Sequence, residues 1–434
     1  MTPRNLFTPN FKATPYWWEQ VQSPNNTKTA LPAKAQVLII GSGYTGLHAA
    51  IQTARAGKRT IVIDAQTAGW GCSTRNGGQI STSIKPGYQK LARRYGDNLA
   101  KALLAEGQAS RDYIEKFIRT EKIKCDFSVC GRFHGAHSQR HFDKLVRECS
   151  APPNPVFDTN AFVVSRQEQA RELGTDAYFG GIVYPNHASI DPAKYHSGLI
   201  VAARNAGVEI ISQCAAEDIS SLNGKFEVKT SKGSVKSEKV VVATNGYTGS
   251  LTPWLRNRVI PIGSYIIATE EIPQAIMDRL FPTSRILSDT RKLVYYYRPT
   301  PDRKRILFGG RVSLYETDPR KSGPKLHRDL VALFPELQDI RISHSWAGFV
   351  GYTFDDLMHT GEKDGLIFAT GYCGSGVGMA SYLGMRIGQQ TLGNVEGITA
   401  FGNIPFKGRP YYSGIPWFLA PSVMVYRLRD KLGY

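Results

Sequence analysis

At 434 residues, with 41% hydrophobic and 21% charged side chains, the chain is long enough for two or three domains and too apolar for general disorder, which excludes a small disulfide-stapled scaffold and a low-complexity segment. Lys and Arg outnumber Asp and Glu by 54 to 36, a formal charge of +18 that favours anionic partners. The basic residues are scattered and never interleaved with aromatics in a run, so the excess reads as a solvated surface and no nucleic acid is expected as a partner. The longest apolar runs, such as 37–40 and 240–243, fall far short of the roughly 20 residues of a membrane span. No metal-ligand spacing links the cysteines and no leader pattern opens the chain, so no transmembrane segment, no metal and a cytoplasmic location are expected.

Residues 1–33 read as an N-terminal arm. The first ordered unit begins at Gln36, in QVLIIGSGYTGLHAAIQTARAGKRTIVID. An apolar run predicts a buried strand over 37–40, and Gly41, Gly43 and Gly46 follow at GxGxxG spacing with Ser42, Tyr44 and Thr45 between them. A helix with apolar residues at Leu47, Ala50, Ile51 and Ala54 ends at Gly57, and a second strand over 60–64 closes on Asp64. Gly41 permits the tight turn, Gly43 lets backbone approach a pyrophosphate, Gly46 allows close helix packing, and Asp64 can accept a ribose hydroxyl. The unit suits FAD or NAD(P) alike.

The next glycine-rich stretch reads GWGCSTRNGGQI at 69–80. It suggests a second cofactor-binding clamp of Gly71, Ser73, Arg75, Asn76, Gly77, Gly78 and Gln79, in which Ser73 and Arg75 could reach phosphate and the Gly77-Gly78 backbone could lie against a flat ring. The plain alternative is a surface loop. Helices are predicted at 89–120, 139–149 and 193–206, a crossover at 180–192, and strands at 207–211, 224–230 and 234–243. Tyr295, Tyr296 and Tyr297 lie on a strand and alternate faces, with a hairpin turn at 300–302. A strand over 366–369 leads into a glycine-rich turn and a helix beginning near Met379, whose start can present N–H groups to an anionic ring edge. The segment 410–434 mixes apolar and basic residues and is expected to dock onto the chain or another subunit, contact with a membrane surface being the lesser alternative.

These motifs, with YWW at 16–18, ATNGY at 243–247, YYYR at 295–298 and GYCGSGVGMA at 371–380, resemble the D-amino-acid-oxidase-like family of FAD-dependent amine and amino-acid oxidoreductases. Within it they resemble the branch of gamma-glutamylputrescine and L-pipecolate oxidases. The resemblance implies an α/β fold: a Rossmann-like FAD-binding domain assembled from 34–92, 190–250 and 341–398, and a β-rich α+β substrate domain from 93–189 and 251–340, with 399–434 as an extension. It adds Ala65, Ala216, Thr244, Gly371, Gly374, Gly376, Val377, Gly378 and Met379 to the FAD-binding set. Tyr265, Tyr295, Tyr297, Trp254 and Arg311 become candidates for the substrate pocket. Relatives that tether FAD use a cysteine or a histidine where this chain has 349–353 and 73–75, which hold neither a matching cysteine nor a histidine, so FAD is expected to be non-covalent.

The implied reaction is oxidation of a C–N bond in a small-molecule amine, such as a gamma-glutamylated polyamine, with hydride passing to flavin N5 and the imine hydrolysing afterwards. O2 or another acceptor would take the electrons. The alternative is an oxidase or dehydrogenase for a cyclic or N-methyl amino acid such as L-pipecolate, sarcosine or glycine. No residue stands out as a dedicated acid or base.

Overall fold

The computed structural model describes residues 6–21, 30–150, 155–313 and 318–433, with the side chains of 222 and 311–313 also outside the description. One sheet is built on a parallel core. Lys34–Ile40 lies between Thr60–Ile63 and Gly233–Val242, with Glu209–Ile211 beyond the former and Leu366–Thr370 beside the carboxyl half of the latter. Because the two neighbours of Lys34–Ile40 are reached in opposite directions, a crevice opens at the carboxyl end of that strand.

Both faces of this sheet are covered, which is why its central strands are unbroken apolar runs. On one face Val37, Ile39, Val62 and Val241 pack against Leu47, Ile51, Leu199, Leu383 and Ile387. Those residues come from the helices Tyr44–Arg55, Pro192–Asn205 and Gly376–Thr391. On the other face Leu38, Ile40, Ile61 and Val240 meet Phe226, Val228 and Val235, supplied by the antiparallel run Ala216–Leu222, Lys225–Thr230 and Gly233–Val242.

The second sheet has nine strands, in the order Phe7–Lys12, Ile342–Tyr352, Ile260–Thr269, Ile306–Ser313, Tyr296–Pro299, Ile286–Asp289, Arg132–Gly135, Gly181–Tyr184 and Phe162–Val164. One face buries Phe133, Tyr265, Ile267, Leu287, Tyr297 and Phe308 under Leu326, Leu330 and Phe334. The helix Pro319–Leu333 carries the first two of these covering residues. The opposite face looks onto the crevice of the first sheet.

Three local features depart from the sequence reading. The helix expected over 89–120 is two, Tyr88–Tyr95 and Asp97–Thr120, because Gly96 adopts φ +83° between them. Ala216–Leu222 forms an additional strand. The last core helix begins at Gly376, so Met379 is inside it and buried rather than at its mouth. The terminal helix Leu419–Lys431 docks through Asp430, whose carboxylate accepts from the backbone N–H of Lys292 at 2.7 Å and of Leu293 at 3.0 Å. Among the described residues no helix is long and apolar enough to cross a membrane.

Asp191 caps Pro192–Asn205. Its Oδ1 accepts from the N–H groups of Ala193 (2.9 Å) and Lys194 (3.0 Å), while its buried Oδ2 has no partner, and burial pushes the carboxyl up to about 6. A folded-state value above the unfolded one of about 3.9 means that the group's contribution to stability is full below that value and is lost as pH rises through about 6. Asp191→Asn keeps the capping oxygen without ionising, so its melting temperature should fall less than that of the parent between pH 5 and pH 8. Asp191→Ala, which has neither the cap nor the ionisation, should be about 1 kcal/mol less stable than Asp191→Asn at all pH values. Equal pH slopes for the parent and the Asn variant would refute the assignment.

Candidate active site

A cavity of ≈ 1510 Å³ lies between the two sheets, larger than the roughly 300–1,000 Å³ of an ordinary small-ligand pocket. At one end it is floored by the strand–loop–helix unit. Gly41 has φ +110°, and a Cβ there would lie 2.8 Å from the carbonyl oxygen of Ala243. A Cβ on Gly46 would overlap the carbonyl of Gly41, so both positions require glycine. Gly41, Gly43, Tyr44 and Thr45 line the cavity, as do Asp64, Ala65, Ala216 and Thr244. The first turn of a helix, whose N–H groups lack intrahelical acceptors, therefore opens onto it.

Ser42 does not line the cavity. It is fully buried, with its N–H (2.9 Å) and Oγ (2.6 Å) both donating to Asp64 Oδ2, while His196 Nε2 donates to its carbonyl at 2.8 Å. Its role is to hold the loop. Asp64 Oδ1 accepts from the N–H of Gln66 at 2.9 Å.

The stretch 69–80 forms a wall, since Gly71, Ser73, Arg75, Asn76, Gly77 and Gln79 all line the cavity. Three indoles hold it from behind: Trp17 Nε1 donates to Asn76 O (2.9 Å), Trp18 Nε1 to Thr74 Oγ1 (2.8 Å) and Trp346 Nε1 to Arg75 O (2.8 Å). Arg75 donates to the carbonyls of Trp70 (2.7 Å) and Ala347 (2.9 Å), with its guanidinium near the faces of Trp70 and Trp18. Its guanidinium thus helps to fix the wall while Arg75 also lines the cavity. Gly78 faces away, and Arg298 donates to its carbonyl at 3.2 Å and to that of Ile190 at 3.0 Å.

A second helix start, Gly374, Gly376 and Val377, borders the same cavity, whereas Gly371, Gly378 and Met379 stand behind it. Cys373 also lines it, and burial pushes its thiol up to about 12.

The aromatic candidates are displaced by one residue. Tyr296 faces the cavity with its hydroxyl 2.8 Å from Ser264 Oγ, joined by Tyr352. Tyr297 and Tyr265 lie on the opposite face, in the core under Pro319–Leu333, and Tyr295 packs on Phe308 at 5.3 Å between ring centroids. The pleat imposes this, because a residue whose neighbours on both sides face the core must face away from it. Trp254 is also outside the cavity, packed at 5.6 Å from Phe368 and Phe406 with Arg258 over its ring. The side chain of Arg311 lies outside the described residues.

The sequence reading missed the far end, lined by Lys85, Arg132, His134, His187, Ser288 and Asp289. Asp289 is tied to Arg291 and accepts from the N–H of Tyr295. His134 Nδ1 lies 2.9 Å from Ser288 Oγ, and burial, with Arg132, Lys85 and His141 nearby, pulls its imidazole down to about 3, so it is neutral at physiological pH. Arg132 and His134 alternate with core-facing Phe133 in the strand Arg132–Gly135, a period-two pattern that could have flagged them.

Two helix starts, an acid at a strand end and glycines whose Cβ atoms would collide together suit a dinucleotide cofactor, and the nine-stranded roof adds a separate wall for a substrate: this is the layout of a flavin-dependent oxidoreductase. Residues 36–390 match the family model described as "FAD dependent oxidoreductase", DAO, and the chain belongs to that family of FAD-dependent enzymes. It is 30% identical over 372 residues to "Probable oxidoreductase OrdL" of Haemophilus influenzae, covering 85% of each chain. It is 29% identical to "Gamma-glutamylputrescine oxidoreductase" of Escherichia coli, covering 92% of this chain and 93% of that one. Among solved structures, glycine oxidase from Geobacillus kaustophilus superposes with a TM-score of 0.73 at 18% identity, over 88% of this chain and all (100%) of that one. L-proline dehydrogenase from P. horikoshii gives 0.70 at 18%, over 84% and 95%.

Two substitutions test whether the floor and wall hold FAD. Asp64→Ala releases Ser42 and should weaken FAD by about 1–3 kcal/mol in a titration of the apoenzyme. Arg75→Ala should lower FAD occupancy and shift the flavin spectrum, and an unchanged spectrum and affinity would reduce 69–80 to a surface loop.

Proposed function

We propose that this FAD-dependent oxidoreductase oxidises the C–N bond of an amine that carries a charged far end, a gamma-glutamylated polyamine being the type. The observation that carries the reading is the cavity itself, which exceeds an ordinary small-ligand pocket and is lined by Tyr296, Tyr352, Lys85, Arg132 and His134 besides the residues of the strand–loop–helix unit, and so has room for an extended substrate beside the nucleotide. The similarity to a gamma-glutamylputrescine oxidoreductase over nearly all of both chains supports it.

In this reading Gly41, Gly43, Thr45, Asp64, Ala216 and Thr244 hold the nucleotide part of FAD, while the 69–80 wall and the Gly374–Val377 helix start border its ring. FAD, when bound, supplies the two-electron acceptor for the hydride from the carbon next to nitrogen. The chain's own residues orient the amine and exclude water. Burial pushes the Tyr296 phenol up to about 12 and raises that of Tyr352 as well, so both remain neutral donors, and their ring faces can border an aliphatic ammonium. A His134 held near 3 is too weak a base to deprotonate an alkylammonium, and Asp289 is engaged by Arg291. The amine therefore loses its proton to solvent before reaction.

The rising limb of kcat/KM against pH should accordingly follow the ionisation of the substrate and move when an amine of different pKa is used. A limb that stays fixed across substrates would assign the proton to a protein group instead. For the substrate class, anaerobic bleaching of the flavin with gamma-glutamylated amines, free polyamines, D-alanine and L-pipecolate decides. Faster bleaching by either amino acid than by any amine would favour the cyclic or N-methyl amino-acid reading.

FAD is held without a covalent bond in this proposal, since a buried Cys373 with a raised thiol pKa is a poor nucleophile. Acid precipitation should leave the yellow colour in the supernatant, and colour in the pellet would contradict it.

A further inference from the structure

We propose that the outward face of the terminal helix Leu419–Lys431 is a docking surface for an anionic lipid bilayer, which the protein touches without crossing. The proposal is independent of the substrate and of the amine-oxidation reading.

A helix that packs one face on its own domain is ordinarily polar on the other. Leu419–Lys431 is apolar on both. Its inward line runs through Leu419 and Val423, both buried, to Asp430, whose carboxylate accepts from the backbone N–H groups of Lys292 and Leu293. At about 100° per residue the line through Met424, Leu428 and Leu432 lies on the opposite side, and these side chains are 71%, 59% and 60% exposed. Val425 is exposed beside them, and the segment leading into the helix adds exposed Tyr411, Ile415 and Trp417. With Tyr426, eight of the fourteen large hydrophobic side chains exposed among the described residues fall within 411–432. Exposed apolar residues scattered singly need no explanation, whereas a cluster of this kind marks a contact surface.

Charge names the occupant. Residues 404–434 hold five bases, Lys407, Arg409, Arg427, Arg429 and Lys431, and one acid, Asp430, which belongs to the docked side. Around the helix Arg427 and Lys431 border the apolar line on one flank and Arg429 on the other, and all three are exposed. An apolar stripe rimmed by cations suits the boundary between lipid head groups and acyl chains, where the bases meet phosphate and the stripe enters the hydrocarbon; exposed Trp and Tyr favour the same depth. A second copy of the chain fits this face poorly. Two-fold pairing would set Arg427, Arg429 and Lys431 against the same three residues of the copy, with each chain carrying a formal charge of +18.

The test is co-sedimentation of the FAD-loaded full chain with vesicles of phosphatidylcholine and phosphatidylglycerol in equal parts, and with vesicles of phosphatidylcholine alone, at constant near-physiological ionic strength. The parent should bind the anionic vesicles at least about tenfold more tightly than the neutral ones. Arg427→Gln, Arg429→Gln and Lys431→Gln combined, and Met424→Gln combined with Leu428→Gln, should each weaken that binding by at least about tenfold while keeping the flavin absorbance spectrum. Lys229→Gln, Lys236→Gln and Lys239→Gln combined remove the same charge from exposed positions on the antiparallel run and should bind as the parent does. Absence of binding to the anionic vesicles, or unchanged binding by either helix variant, would overturn the proposal. An equal loss in the distant lysine variant would do the same by reducing the attraction to net charge. A dimer that Met424→Gln with Leu428→Gln dissolves would give the face to a second copy instead. Because the readout is vesicle binding, failure of every amine to bleach the flavin would defeat the proposed reaction and leave this result standing.

Discussion

Two helices converge on one crevice because glycine lets their backbones touch. A Cβ on Gly384 would lie 2.5 Å from the carbonyl of Thr45, and one on Gly388 would lie 2.9 Å from that of Ala49. With side chains at those positions, Gly376–Thr391 would be pushed off Tyr44–Arg55, and only one positive helix end would remain on the cavity. Glycine inside a helix costs up to about 1 kcal/mol relative to alanine. Here the cost is offset by burial of Leu47, Ile51, Leu383 and Ile387 in one core.

The second consequence of that geometry is that the cavity has no wall of its own on the substrate side. The nine-stranded sheet supplies it, and the stretch 69–80 joins the two halves. Trp346 and the carbonyl of Ala347 hold it from Ile342–Tyr352, and Arg298 holds it from Tyr296–Pro299. These are side-chain-to-carbonyl bonds made by indole and guanidinium groups, which reach across a gap that ladder hydrogen bonds cannot span. Displacement of the roof would therefore also displace the wall beside the nucleotide.

The unit from Gln36 to Asp64 was legible because its signals are local: an apolar run, glycines at fixed spacing and an acid at the next strand end. Its positions coincide with Lys34–Ile40, Tyr44–Arg55 and Thr60–Ile63. The face of Tyr295, Tyr296 and Tyr297 was not legible, since a period of two says that neighbours diverge without saying which side is the core. That choice was made by Leu326, Leu330 and Phe334, far away in sequence. Arg132 and His134 lay in a stretch without glycine motifs, where only pairing with Ile286–Asp289 and Gly181–Tyr184 brings them over the crevice. Arg75 adds a role that its motif did not announce: a guanidinium in a glycine-rich loop suggests phosphate, and here it also donates to two backbone carbonyls that hold the wall.

The nucleotide-facing sheet is stitched from distant parts of the chain: Leu38 pairs with Val240, and Val240 with Leu366. During synthesis the edge of Lys34–Ile40 that does not face Thr60–Ile63 must wait for Gly233–Val242, made much later. The second helix start on the crevice, at Gly376, is made long after the first, at Tyr44. Such pairings are slow to form, and the exposed strands are prone to aggregate meanwhile. The cavity bordered by both helix starts is therefore complete only once Gly376–Thr391 has been made and packed against Tyr44–Arg55.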